Sequence, residues 1–234
     1  VEILHTDHSH ILILADGMGS GVKANILATM TSKILGTMFL KGISLDRCVE
    51  TIAETLPVCR VRHVAYATFS ILEVTDDGDA YLVEFDNPGG VFIRDGRLMP
   101  IPENRRKIAG RLINEYHFHA QKGDAFVLIS DGAINAGVGE LLNFGWTWDS
   151  VADFVKREYA RTSTAMHLAA ELCQACNDLY QYQPGDDTTV AVMRIGERHQ
   201  ANLMRGPAER KEDDARMVQD FMADESAVRC VCGG

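Results

Sequence analysis

No run in this 234-residue sequence stays apolar for the roughly 20 residues that a bilayer-spanning helix needs, so no transmembrane helix is expected. The first residues also lack the unbroken apolar core of a secretory signal, because Glu2, His5 and Asp7 interrupt it. A cytoplasmic protein is expected. Lysine and arginine form no stripe, and the formal net charge is −10. Nucleic-acid binders draw their affinity from neutralised phosphates, so that class is excluded, whereas an acidic chain suits divalent cations. Of six cysteines, only Cys173 and Cys176 have C-x-x-C spacing, and the second pair that a zinc ribbon requires is missing. Helical periodicity brings those two to one face. Reduced cysteines packed mostly in a core are expected, with Cys230 and Cys232 of "VRCVCGG" exposed. Internal repeats and low-complexity tracts are absent.

With 46% hydrophobic and 24% charged residues, the chain has the composition of a soluble globular protein. Residues 9–15 read as a buried strand feeding a glycine-rich turn. Residues 22–42 carry Ala24, Ile26, Leu27, Met30, Ile34, Leu35 and Met38 mostly at helical spacing, which predicts a long helix buried along that face. Residues 45–57 form a second helix, stopped by Pro57. The period then drops to two. Residues 64–74, 79–85 and 90–96 alternate or run apolar in short pieces, divided by the turn sequences "TDDG", "DNPGG" and "RDG". Strands are also read at 115–121, 124–130 and 188–195, and helices at 147–160 and 164–181. Paired helices around consecutive antiparallel strands predict an α+β sandwich rather than a parallel α/β sheet. Beyond Gly196 the sequence turns charged, with room for one amphipathic helix and a strand-like "AVRCVC". Residues 1–195 are read as one domain and 196–234 as an incomplete extension; both ends of the chain read as cuts.

Three aspartates abut apolar strands, in "LILADG" (Asp16), "VLISDG" (Asp131) and "GDDTTVAVMR" (Asp186 and Asp187). One Asp-Gly at a strand end is ordinary turn chemistry. Three such sites on neighbouring strands would gather carboxylates at one end of the sandwich, where they repel one another unless a hard divalent cation sits among them. Gly17, Gly19 and Gly21 then let the backbone pass close to a ligand, and the Gly17 carbonyl is a further oxygen donor. A dinucleotide loop and a P-loop both need glycine where Val22 stands. The cysteine-phosphatase loop fails because Ala65 stands where its arginine belongs after Cys59, and no D-x-D-x-T motif is present. "HTDHSH" (His5, Asp7, His8, His10) reads as a hairpin turn rather than a soft metal site, and His117 and His119 as surface residues on one strand face. Lys23 reads as a solvated lysine in the first helical turn.

"ADGMGSG" followed by Ala24, "SDG" at 130–132 and "DDTTVAVMR" at 186–194 resemble, in order and spacing, the signature blocks of the SpoIIE-type branch of the PPM (type-2C) serine/threonine protein phosphatases. The resemblance covers residues 1–195 and implies a four-layer α-β-β-α sandwich of two antiparallel sheets. It implies two Mn²⁺ or Mg²⁺ ions, with Asp16 bridging them, the Gly17 carbonyl on one, and Asp131 and Asp186 completing the second; Asp187 takes the place of an adjacent acid or amide. The nucleophile would be a water between the ions. The implied substrate is a phosphoserine or phosphothreonine protein, commonly a STAS-domain protein in partner-switching circuits, and a homodimer is allowed. Relatives usually carry a Gly-Asp on the strand before the first block, which here falls ahead of Val1. Asp86 stands where many have His or Asp before a small turn, and reads as a turn residue rather than a third metal ligand. The alternative reading is a PPM-fold binding module without turnover.

Overall fold

The computed structural model describes residues 1–17, 19, 21–55, 67–108, 111–139, 141–162, 164–196, 201–225 and 227–232. Its organisation follows from one alternation. In strand β2 (Ser9–Gly17), Ile11, Ile13 and Ala15 pack against helices, while Leu12 and Leu14 pack against a second sheet. A strand buried on both faces must be apolar throughout, which is why residues 11–15 carry no polar side chain.

Strand β1 (Glu2–His5) forms a hairpin with β2. On the other side of β2 follow β3 (Ala67–Thr75), β4 (Asp79–Phe85), β8 (Arg111–His119) and the edge strand β7 (Glu103–Ile108), all antiparallel. The second sheet has the order β10 (Val190–Arg194), β9 (Ala125–Ile129), β5 (Val91–Arg94) and β6 (Arg97–Leu98). Between the sheets lies a core that includes Leu12, Leu14, Leu72, Phe92, Phe126 and Leu128. Helices α1 (Val22–Leu40) and α2 (Leu45–Thr55) cover the six-stranded sheet through Leu35, Val49 and Ile52. Helices α4 (Trp148–Arg161) and α5 (Ala165–Leu179) cover the four-stranded sheet through Val151, Val155, Leu168 and Leu172. The one-turn α3 (Asp131–Ile134) follows β9 directly. Three cores between four layers make the α-β-β-α sandwich that the sequence predicts.

The sequence reading needs correction in places. Helix α1 buries the expected face only in part: Ala24 and Leu35 are buried and Ile34 and Met38 pack against the core, but Ile26 and Met30 are exposed, and Thr31, Ser32 and Gly36 share the buried face. At Gly36 the helix lies close to the sheet: a β-carbon there would stand 3.0 Å from a Leu4 methyl. The two buried hydroxyls are satisfied within the helix, Thr31 donating to the Leu27 carbonyl at 2.8 Å and Ser32 to that of Thr29 at 3.1 Å. Cys173 and Cys176 are divided, the first exposed and the second buried. Strand β7, "ENRRKI", escaped the period-two reading because every residue before Ile108 is polar or charged, as suits an open sheet edge. Pro57 and the "CRVRH" stretch with Cys59 lie outside the described residues.

Residues Gly196–Gly234 form a separate compact unit. In it β11 (Ala201–Arg205) pairs in parallel with β12 (Val228–Cys232), and α6 (Asp214–Met222) makes the crossover. Cys230 and Cys232 are exposed, as expected. Among the described residues no helix is long and apolar enough to cross a membrane.

One buried ion pair ties the four-stranded sheet to the loop before β9. Asp124 is fully buried, and Arg94 donates to it from Nε at 2.8 Å and Nη2 at 2.6 Å. Nη2 also reaches the His119 carbonyl at 2.7 Å, so the pair joins both sheets at this end. Removing one partner of a buried pair strands the other charge. Asp124→Ala is expected to lower the unfolding free energy by about 3 kcal/mol, read from the midpoint of a urea denaturation curve.

Candidate metal centre

The parity that places Leu12 and Leu14 between the sheets places Asp16 there too, at the point where β2 runs out. On the opposite sheet, Phe126 and Leu128 of β9 face the same core, and Asp131 follows as the first residue of α3. Asp186 and Asp187 occupy the turn leading into β10, which pairs with β9. Three strand ends from two sheets thereby carry the carboxylates expected from the sequence.

Two backbone contacts hold these ends together, and each requires the glycine after an aspartate. A β-carbon at Gly17 would lie 2.1 Å from the Ala24 carbonyl oxygen of α1. At Gly132 it would lie 2.4 Å from the Asp187 carbonyl oxygen. Ser130 reinforces the second contact. Its hydroxyl donates to the Asp187 carbonyl at 3.3 Å and accepts from the Thr189 amide at 2.9 Å, while its own amide donates to the Thr189 carbonyl at 3.0 Å. Tyr180 Oη donates to the Gly132 carbonyl at 2.8 Å from a buried position. Sequence reasoning missed Ser130 and Tyr180; a serine before Asp-Gly is too common a turn residue to signal such a role.

The electrostatics show how closely the carboxylates interact. Burial pushes Asp16 up to about 7, and the negative charges of Asp131 and Asp186 add to the rise; the Gly17 amide, donating to Oδ1 at 2.9 Å, opposes it. Asp186 is also raised, first by burial and then by the charges of Asp131 and Asp187, against the pull of the Asp187 amide at 2.8 Å. Among the described residues no three His, Cys, Asp or Glu side chains close around a single point as a metal cage. The donor set nevertheless fits a hard divalent cation: it is all oxygen, and burial together with the neighbouring negative charges raises Asp16 far above the ordinary carboxylate range. Asp131 and Asp187 are exposed at the rim, and Asp186 is half-buried.

Beside Asp16 lies a cavity of about 300 Å³ between α1 and residues 187–189. Its walls are mostly small and polar, including Asn25, Thr29, Ser32, Thr188 and Thr189. The other sequence candidates lie elsewhere. His5 and His10 pair across the β1–β2 hairpin, Nδ1 to Nδ1 at 2.7 Å, six residues and roughly 20 Å of strand from Asp16. His117 stacks on Tyr81 with ring centroids 4.3 Å apart, and His119 reaches Asp79 at 3.3 Å. Asp86 takes the left-handed conformation of a turn, with φ 52°.

Comparison with known proteins agrees with this architecture. The PP2C phosphatase domain of SpoIIE from Bacillus subtilis, solved with a fragment of its regulatory domain, superposes with a TM-score of 0.68 at 18% identity over 84% of this chain and 56% of that one. The RsbU and RsbW domains of a Mycobacterium tuberculosis protein give 0.65 at 16% identity, over 84% of this chain and 56% of that one. A serine/threonine phosphatase of S. agalactiae gives 0.59 at 16% identity, over 83% and 91%. The chain thus spans little more than half of the first two structures. No curated protein matches the sequence. The family model for Stage II sporulation protein E (SpoIIE) matches residues 6–196, which include every strand of both sheets but β1 and all the clustered aspartates, and the chain accordingly belongs to the SpoIIE family and has the fold of PP2C-type phosphatase domains.

Proposed function

We propose that this chain is a metal-dependent protein phosphatase that hydrolyses phosphoserine or phosphothreonine in a partner protein of bacterial signalling. The observation that carries the reading is the convergence of Asp16, Asp131 and Asp186 from three strand ends onto one mutually repelling cluster. In this reading Asp16, Asp131 and Asp186, with the Gly17 carbonyl and Asp187 at the rim, hold two Mn²⁺ or Mg²⁺ ions. Such ions, when bound, lower the pKa of water and neutralise charge on a transferring phosphoryl group. The chain's own contribution is to hold the donors still. Ser130 locks Asp187 against the turn that carries Asp131, and α1 locks Gly17. The cavity beside Asp16 receives the phosphoryl group, and the Asn25 side-chain amide is a hydrogen-bond donor on its wall. A phosphorylated STAS-domain protein is the substrate class that the family resemblance supports.

One observation favours the second reading, a binding module without turnover: the carboxylates do not close into a three-ligand cage. Turnover separates the two. Hydrolysis of p-nitrophenyl phosphate is expected to need Mn²⁺, and Asp16→Asn and Asp131→Asn are each expected to lose more than about 100-fold in kcat/KM, exceeding what outer partners of metal ligands usually cost. Activity that survives chelation, or survives both substitutions, would rule the two-metal reading out.

The raised Asp16 also sets a pH dependence. A cation displaces the proton that Asp16 carries below about 7, so Mn²⁺ affinity is expected to rise about tenfold per pH unit from 5.5 to 7 and to level off above. The metal-free protein moves the opposite way. Because the folded-state value lies above the ordinary 3.8, the contribution of Asp16 to stability is full at low pH and is lost as pH rises through about 7. Asp16→Asn is expected to flatten that decline, as read from melting temperatures of the metal-free proteins between pH 5 and 8.

A further inference from the structure

The chain passes from the six-stranded to the four-stranded sheet through residues 86–90, between β4 and β5. This turn touches β3, which pairs with the Asp16 end of β2, and β9, which leads to Asp131. On one side, Thr68 of β3 is the direct cross-strand partner of Asp16. On the other, β5 pairs antiparallel with β9, Val91 opposite Val127, so residues before Val91 run beside the part of β9 that leads to Asp131. Gly90 is seated there: a β-carbon on it would lie 3.2 Å from a Leu128 methyl and 3.5 Å from the Val127 carbonyl oxygen.

Three side chains fasten the turn. Asn87 Oδ1 accepts from Thr68 Oγ1 at 2.7 Å, and Asn87 Nδ2 donates to the buried Ser70 Oγ at 3.0 Å. The Gly90 amide donates to Glu84 Oε1 at 2.6 Å, and Glu84 Oε2 accepts from Tyr116 Oη at 3.0 Å. Trp148 Nε1, from α4 behind the second sheet, donates to the Gly89 carbonyl at 2.6 Å. Five consecutive residues thus join β3, β4 and β8 of one sheet to β9 and α4 of the other.

Asp16 rides on the first sheet and Asp131 on the second, so their separation is set by how the sheets are held at this end. The geometry points to Asn87 as a positioning residue of the metal centre: its amide clips the inter-sheet turn onto the strand beside Asp16 and thereby fixes the Asp16–Asp131 spacing. This rests on the two-metal reading above. Asn87 touches no reacting atom; it acts through Thr68 and Ser70. Its two bonds are directional, one accepted and one donated, which explains an amide at a turn position that many residues would fill equally well.

The test is Mn²⁺ binding by titration calorimetry on the substrate-free protein, alongside kcat, KM and melting temperature with p-nitrophenyl phosphate as substrate. Asn87→Ala is expected to weaken Mn²⁺ about 10- to 100-fold and to lower kcat, with KM little changed and the melting temperature shifted by only a few degrees. Thr68→Val, which removes the hydroxyl from the other side, is expected to match it, and the double variant to lose no more than either alone. Thr68→Ser, which restores a hydroxyl, is expected to recover Mn²⁺ affinity. Should Asn87→Ala fail to fold, Thr68→Val and Thr68→Ser decide. A wild type that binds Mn²⁺ and turns over, with Asn87→Ala or Thr68→Val indistinguishable from it, overturns the clip alone. A wild type that neither binds Mn²⁺ nor turns over overturns the phosphatase reading and the clip with it.

Discussion

The carboxylates of Asp16, Asp131 and Asp186 repel one another, and the backbone keeps them together. That opposition organises the domain. Asp16 stands at the end of a strand whose side chains from Ile11 to Ala15 are all apolar and buried, and that anchored strand fixes where its carboxylate lies. Asp131 and Asp186 belong to a different sheet, and their approach is enforced by the Ser130 hydroxyl and the contact of Gly132 with Asp187. The protein accepts a carboxyl held near neutrality, with its destabilising consequence at high pH, in return for a ready oxygen-lined site. Strain of this kind concentrates where function does.

The layers around that cluster serve to make it rigid. The core between the sheets stacks Phe92 on Phe126 at 4.6 Å and on Phe118 at 5.5 Å, with Phe118 tilted against Phe126. The Arg94–Asp124 pair closes one end of the sandwich and the turn at residues 86–90 closes the other. Between two such fastenings the sheets cannot shear freely, and carboxylates mounted on separate sheets keep their spacing. Helix α1 contributes differently. Its small residues let it lie flat against β1 and β2, so that the same helix reaches Gly17 and forms one wall of the cavity beside Asp16.

Much of this was legible from the sequence, for reasons that can be named. Strands buried on both faces show as unbroken apolar runs, so β2 and β9 stood out, and an aspartate at the end of each was conspicuous against that background. The order of the three Asp-containing blocks carried the family and, through it, the sandwich. What stayed hidden depends on contacts far apart in sequence or on residues with an ordinary local role. Ser130 and Asp187 meet across 57 positions, Tyr180 and Gly132 across 48. Asn87 looked like part of a turn because it is one; only the fold shows that Thr68 and Ser70 wait opposite. The buried face of α1 was read only in part, because apolar periodicity passes over Thr31, Ser32 and Gly36, the small residues on which the helix also rests.

The two glycines behind the aspartates bear on how such a domain changes over generations. Gly17 and Gly132 are demanded by the packing of backbone on backbone, whatever chemistry the neighbouring carboxylates perform. On the proposed two-metal reading Asp16 and Asp131 answer to that chemistry alone, and relief of their repulsion would even favour their loss once it is no longer needed. On the same reading, a relative that has this shape without turnover should have drifted at the first letter of each Asp-Gly pair and held the second. The pairs record two separate histories, one of folding and one of catalysis, written side by side.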